Sequence, residues 1–163
     1  EYWDVTEREQ KPRWTEKREL TEEFKDFIIN QKKIHYLIKN NDDLSSDYVI
    51  YLGRITDYKN FEWLQKTMKG LKILLIYPSN QDDNTIYALL SNAKMLVTAS
   101  IWEGYGRPVM EAESLGIPAV AYDVGAHKRH IKKGICVPLD INNMEKSEED
   151  FKKAVLDVWN KKW

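Results

Sequence analysis

The stretch from Thr98 to Pro118, T-A-S-I-W-E-G-Y-G-R-P-V-M-E-A-E-S-L-G-I-P, leaves this chain few ways to fold. Met95, Leu96 and Val97, just before it, read as the end of a buried strand. Ser100 to Gly106 is polar and carries glycines, so the chain turns there. A helix then begins with Pro108 in its first turn, where a missing N–H costs nothing. Gly116 and Pro118 stop it. A strand, a glycine loop and a helix N-terminus in succession present backbone N–H groups to an anion. Two carboxylates bracket that geometry, Glu103 in the loop and Glu111 in the helix, with seven residues between them. A carboxylate repels phosphate, so its natural partner there is a neutral hydroxyl of the kind a sugar carries. One glutamate near a helix start merely complements the macrodipole. The whole constellation asks for more.

Around this stretch, strand-like and helix-like segments alternate. Residues 1–20 carry charges of both signs, interleaved with Trp3 and Trp14, and show no clean period. They read as an N-terminal arm or linker that packs its tryptophans, and residues 21–163 as one domain. Thr21 suits an N-cap, and Phe24, Phe27, Ile28, Ile34, Leu37 and Ile38 recur at a spacing that predicts one helix. After the polar break of Asn40 to Asp47, strands are predicted at Tyr48–Leu52, Leu71–Tyr77, Met95–Thr98 and Ala119–Val124, with a short one near Gly134–Pro138. Helices are predicted from Asn60 to Lys69, closed by Gly70, and from Thr85 to Asn92. A terminal helix, marked by Phe151, Val155, Val158 and Trp159, follows the acidic run from Asp140 to Asp150. This alternation predicts an α/β, Rossmann-like open parallel sheet with helices on both faces. Ligands of such sheets gather beyond the C-terminal ends of the strands. Arg54 and Lys59 fall at that edge, just past the first predicted strand.

Composition narrows the function. A formal net charge of −1 over 163 residues gives no electrostatic case for nucleic acid. Cys136 is the only cysteine, so no disulfide forms within the chain, which fits a reducing, cytoplasmic compartment. It reads as a small buried filler rather than a nucleophile. The apolar runs are too short to span a bilayer, although the arm leaves room for contact with a membrane surface. The chain begins at Glu1 and reads as a processed or excised piece. Asp42-Asp43 lies in a loop and Asp82-Asp83 just precedes a helix, where acids are favoured for ordinary reasons, so no metal ligands are assigned. A phosphorylatable receiver domain would want an acidic pair after the first strand, where Gly53-Arg54 stands instead.

The run Glu103-Gly104-Tyr105-Gly106-Arg107-Pro108-Val109-Met110-Glu111-Ala112, followed by Leu115-Gly116-Ile117-Pro118, closely resembles the signature of family 4 retaining glycosyltransferases of the GT-B fold. Gly53-Arg54, with Lys59 five residues on from Arg54, resembles the Gly-Arg…Lys element of the same family. Gly125 keeps the first glycine of the family's Gly-Gly-x-x-Glu, whereas Ala126 and Arg129 depart from it. His127, beside it, either faces a phosphate or is an ordinary exposed loop histidine. The likeness covers about Tyr48 to Asp140.

It implies the C-terminal, donor-binding half of a GT-B hexosyltransferase. The donor would be a nucleotide diphosphate sugar such as a UDP- or GDP-sugar, with no separate cofactor and no metal. On this resemblance Glu103, Arg54 and Lys59 form the catalytic set: the cations steady the leaving diphosphate, and Glu103 meets the donor sugar near its anomeric carbon. Gly53, Gly104, Tyr105, Gly106, Glu111 and Gly125 would bind the donor, Glu111 through the ribose hydroxyls. The sugar would pass, with retention, to a sugar or lipid-linked acceptor held by an N-terminal domain absent from this chain. The alternative is a non-catalytic nucleotide-sugar-binding module completed by a partner chain. An epimerase or a phosphorylase of the same fold is a further reading, but nothing marks the pyridoxal lysine that a phosphorylase needs.

Overall fold

Tyr48 to Leu52 alternates its side chains between two separate cores, and the architecture follows from that alternation. A computed structural model describes residues 11–19, 21–29, 34–36, 47–78 and 81–161. In order, the elements are α1 (Glu22–Ile29), β1 (Ile34–Tyr36), β2 (Val49–Ile50), a single 3-10 turn (Asp57–Lys59), α2 (Phe61–Gly70), β3 (Leu75–Pro78), α3 (Asp83–Asn92), β4 (Met95–Thr98), α4 (Arg107–Ser114), β5 (Ala119–Tyr122), α5 (His127–His130), β6 (Gly134–Val137) and α6 (Met144–Asn160). The strands form one sheet in the order β1-β3-β2-β4-β5-β6. Every pairing from β3 to β6 is parallel, and only β1 runs antiparallel, on the edge of β3.

Helices cover both faces. Tyr48, Ile50 and Leu52 pack with Ala88, Leu89 and Leu90 of α3 and with Val109 and Ala112 of α4. Val49 and Tyr51 pack on the other side with Phe61, Leu64 and Met68 of α2 and with Phe151, Val155 and Val158 of α6. β4 and β5 are buried throughout, as parallel strands covered twice must be. Among the described residues no helix is long and apolar enough to cross a membrane.

Four expectations are corrected. The periodic run from Phe24 does not continue as one helix. α1 ends at Ile29, and Ile34–Tyr36 pairs with Pro78, Tyr77 and Ile76. The open edge of β3 offers a row of backbone partners, and Ile and Tyr suit a strand, so pairing prevails over helical spacing. Leu37 and Ile38 lie outside the described residues. β3 starts at Leu75 rather than Leu71, because the residues before it complete α2: Leu71 N–H bonds to Thr67 O and Ile73 N–H to Met68 O, each at 3.0 Å. Lys72, not Gly70, takes the left-handed conformation in that turn, at φ 58°. α6 begins earlier than its apolar residues suggest, at Met144, where the Asn143 side chain accepts from Lys146 N–H at 3.2 Å. β5 ends at Tyr122 rather than Val124, because Val124 N–H turns back to Tyr122 O at 2.9 Å.

The capping expected of Thr21 is present, with its hydroxyl accepting from Phe24 N–H at 3.2 Å. Asp82 likewise caps α3, accepting from Thr85 N–H at 2.8 Å, and that bond holds its carboxyl below the usual range. Asp82→Ala removes this cap, and the expected loss is about 1 kcal/mol of stability in a urea titration, largely restored in Asp82→Ser.

Candidate functional site

The sheet order sets the place of the site. From β2 the chain crosses through α2 to β3 on one side, and β4 lies against the other side of β2. The strand order therefore reverses at β2 and β4, the switch point beyond whose C-terminal ends sheets of this kind form their ligand crevice. Two loops wall it. In the loop after β2, Tyr51 Oη donates to Arg54 O at 2.8 Å, and the single 3-10 turn carries Lys59 forward. Ile101 N–H bonds to Tyr58 O at 2.9 Å, and Tyr58 meets Trp102 edge-on at 5.5 Å, so the loop after β4 is tied to the first. Lys59 Nζ thereby comes to 2.5 and 2.7 Å from the two carboxylate oxygens of Glu103. Both side chains are largely shielded from water, at 13% and 12% exposure. Arg54 is exposed, and its guanidinium has no hydrogen-bond or ion-pair partner among the described residues. The Thr56 hydroxyl in the same loop is buried with no partner among them.

The loop after β5 closes the crevice from the far side. Gly125 has φ 55°, and a Cβ there would collide with the carbonyl oxygens of Glu103 and Gly104. Ala126 N–H bonds to Gly104 O at 3.2 Å, so the two loops dock backbone to backbone. Gly106, the N-cap of α4, has φ 74° and receives the edge of His127: a Cβ on Gly106 would stand 2.7 Å from His127 Nε2. No side chain caps that helix start. Tyr105 packs edge-on against His130 at 4.8 Å, with the Arg129 guanidinium 5.5 Å from its ring.

His127 is not an exposed loop histidine; it is 1% exposed. Its Nδ1 lies 2.9 Å from Tyr122 O, a carbonyl that can only accept, so Nδ1 carries a proton and neutral His127 keeps its lone pair on Nε2. Burial pulls its pKa below the ordinary value.

Glu111 has different partners from Glu103. It lies in the second turn of α4, 1% exposed, and its carboxylate is held by other groups. Arg13, from the N-terminal arm, donates through Nε to Oε1 at 2.6 Å and through Nη2 to Oε2 at 2.8 Å. Arg107, one turn earlier on α4, stands 3.3 Å away. The structure thus brings Lys59, Glu103, Gly104 and Gly125 into direct contact, and Gly106 against His127. Gly53 and Arg54 lie on the adjoining loop, with Gly53 against the Tyr51 hydroxyl. Arg13 is the residue that sequence reasoning missed, since nothing in the mixed charges of the arm singles it out. The spacing of Arg107 and Glu111, one helical turn, was a readable signal.

The comparisons bear on this geometry. The family model described as glycosyl transferases group 1 matches residues 28–161. Among solved structures, one from the GtfA/B complex matches with 20% identity over 70% of this chain and 29% of the other, at a TM-score of 0.51. The pneumococcal O-GlcNAc transferase GtfA, in complex with UDP and GlcNAc, matches with 21% identity over 69% of this chain and 28% of the other, at a TM-score of 0.50. Those likenesses are of fold. The chain spans less than a third of the length of either structure. No protein of curated function matches it.

Two outcomes follow from the interlocked loops. Gly125→Ala should cost roughly 2 kcal/mol or more in a denaturant titration, whereas Gly104→Ala, with open space at its Cβ, should stay within about 0.5 kcal/mol. His127 has a depressed folded pKa, so the unfolded chain binds its proton first as pH falls. Its contribution is complete above about pH 6.5 and is lost below that. The urea midpoint should therefore drop between pH 7.5 and 5.5, and drop less in His127→Gln.

Proposed function

Because the chain belongs to the glycosyl transferases of group 1, we propose that its crevice is the donor half of a GT-B active site that holds a nucleotide diphosphate sugar. The observation that carries this reading is the meeting of Lys59 and Glu103, 44 residues apart in sequence, at the strand-order reversal. A cation and a carboxylate so placed suit a ligand with a charged end beside a hydroxylated one. Lys59 and Arg54 take the diphosphate, Arg54 as a planar fork and Lys59 as a point charge. The amides at the uncapped start of α4, with Gly104 to Gly106, add donors to the same oxygens. Glu103 accepts a hydroxyl of the donor sugar, and Glu111 the ribose hydroxyls.

The chemistry is transfer of the sugar with retention of configuration. As the bond between the anomeric carbon and the phosphate oxygen breaks, negative charge collects on the departing diphosphate, and the two cations and the backbone N–H groups stabilise it. The acceptor sits on a second, N-terminal domain across the cleft. Trp102 and Ile55, 56% and 64% exposed beside the crevice, suit a face that such a domain approaches. The second reading is a non-catalytic module completed by a partner chain; one similar fold comes from a two-component complex, which keeps that reading in play.

A thermal-shift panel of UDP-, GDP- and ADP-sugars tests the proposal, with a rise in melting temperature expected for one nucleotide class. Glu111→Ala should weaken that ligand in calorimetry by about tenfold. Arg54→Ala should weaken it further, and added salt should reproduce the Arg54 effect. Binding of an unrelated ligand class with no response to any nucleotide sugar would overturn the reading. Transfer assayed on the full-length gene product separates the enzyme from the module.

A further inference from the structure

The arm lies across the helix that carries Glu111. Arg13 spans two elements: Nε and Nη2 take both carboxylate oxygens of Glu111, while Nη1 donates to Asp83, the first residue of α3, at 2.7 Å. Its guanidinium stacks 4.2 Å over Trp14, and Trp14 lies flat on Tyr87, with ring centroids 4.8 Å apart and planes 10° from parallel. Backbone anchors flank these contacts. Ser114 Oγ donates to Trp14 O at 2.7 Å, Tyr87 Oη donates to Glu16 O, and Arg18 N–H donates to Ser91 Oγ at 2.9 Å. Asn92 Nδ2 donates to Arg18 O at 2.9 Å. The segment is therefore held along its length, and Glu111 is sealed beneath it.

A guanidinium that takes both oxygens of a carboxylate leaves no room at that edge for a second two-pronged donor, although a single donor such as Arg107 still reaches one oxygen. The guanidinium edge offers Glu111 two parallel N–H groups, and a vicinal diol offers two O–H groups to the same pair of oxygens. We propose that residues 11–19 form an autoinhibitory strap, in which Arg13 occupies the place of the ribose diol on Glu111 and a nucleoside diphosphate must expel it. This rests on the role given to Glu111 above. The strap is tethered to the domain it covers, so it competes at a high effective concentration. Apparent affinity falls by the fraction of molecules with the strap open, so a strap closed in about 90–99% of molecules weakens the nucleotide roughly 10- to 100-fold. Its contacts are of two kinds. The outer ion pair, to Asp83 at 73% exposure, exchanges readily with water. Trp14, by contrast, packs on one core, and the Arg13 pair closes over a carboxylate only 1% exposed, so a ligand must offer Glu111 an equivalent grip to displace the strap.

The test uses the whole chain and UDP, GDP and ADP as probes. Calorimetry compares the wild type with Arg13→Ala, which removes the strap's hold on Glu111 and leaves only Arg107 beside it, and with Trp14→Ala, which loosens the strap without touching the carboxylate. Hydrogen exchange follows the Arg18 amide, protected here by Ser91. The expected result is at least tenfold tighter binding of one nucleotide by Arg13→Ala, tightening in the same direction by Trp14→Ala, and faster exchange at Arg18 when that nucleotide saturates the wild type. Equal or weaker binding by the variants, or unchanged exchange at Arg18, overturns the strap while leaving the donor site standing, because the nucleotide still binds. If no nucleotide binds the wild type or either variant, the donor site falls and the strap falls with it.

Discussion

β2 is paired on both sides by parallel neighbours, and the rest of the molecule is arranged around that constraint. Parallel pairing sends the chain away from the same edge of the sheet after every strand, and each return needs a helix. The loops after β2, β4 and β5 therefore open on one side, next to one another, whatever their sequences. What the sequence adds is how they are joined. Ile101 bonds to the β2 loop, and Gly125 seats on the carbonyls of the β4 loop. Three connections that could move separately are fixed against one another by main-chain contacts.

The shielded charges of the crevice are paired, and among the described residues the exposed Arg54 is left over. Lys59 and Glu103 face each other at hydrogen-bond distance with little water around them, so neither is left as an isolated buried ion. Glu111 is more deeply buried and finds its cations elsewhere, one turn back on its own helix and in the arm. The two acids of the central stretch thus have separate partners and separate surroundings. A ligand that engages both must compete with three ion pairs, one at Glu103 and two at Glu111.

Much of this was legible beforehand. The apolar runs at Met95–Thr98 and from Ala119, with the proline and glycine punctuation of α4, marked strands and helix because each is a local signal, although the second was read two residues too long. The cations and acids of the crevice could be assigned to one sheet edge because parallel topology fixes that edge. Three things could not be read. The strand at Ile34–Tyr36 depends on a partner edge forty or more residues on, so its helical spacing misled. The burial of His127 depends on the absence of a side chain at Gly106, a relation between two loops that no local window contains. Arg13 reaches Glu111 across 98 positions, and its neighbours are charged residues of both signs that mask it. In each case the deciding contact is distant in sequence and close in space.

The fit of His127 against Gly106 has a historical side. The ring edge fills the volume that any side chain at position 106 would need, while the other ring nitrogen is fastened to Tyr122. A substitution at either position alone leaves a clash or a hole beneath the start of α4. Position 106 is held to glycine twice over, by its left-handed backbone and by the ring edge, so a lineage that trades the imidazole for a smaller group gains a void there without becoming free to lose the glycine.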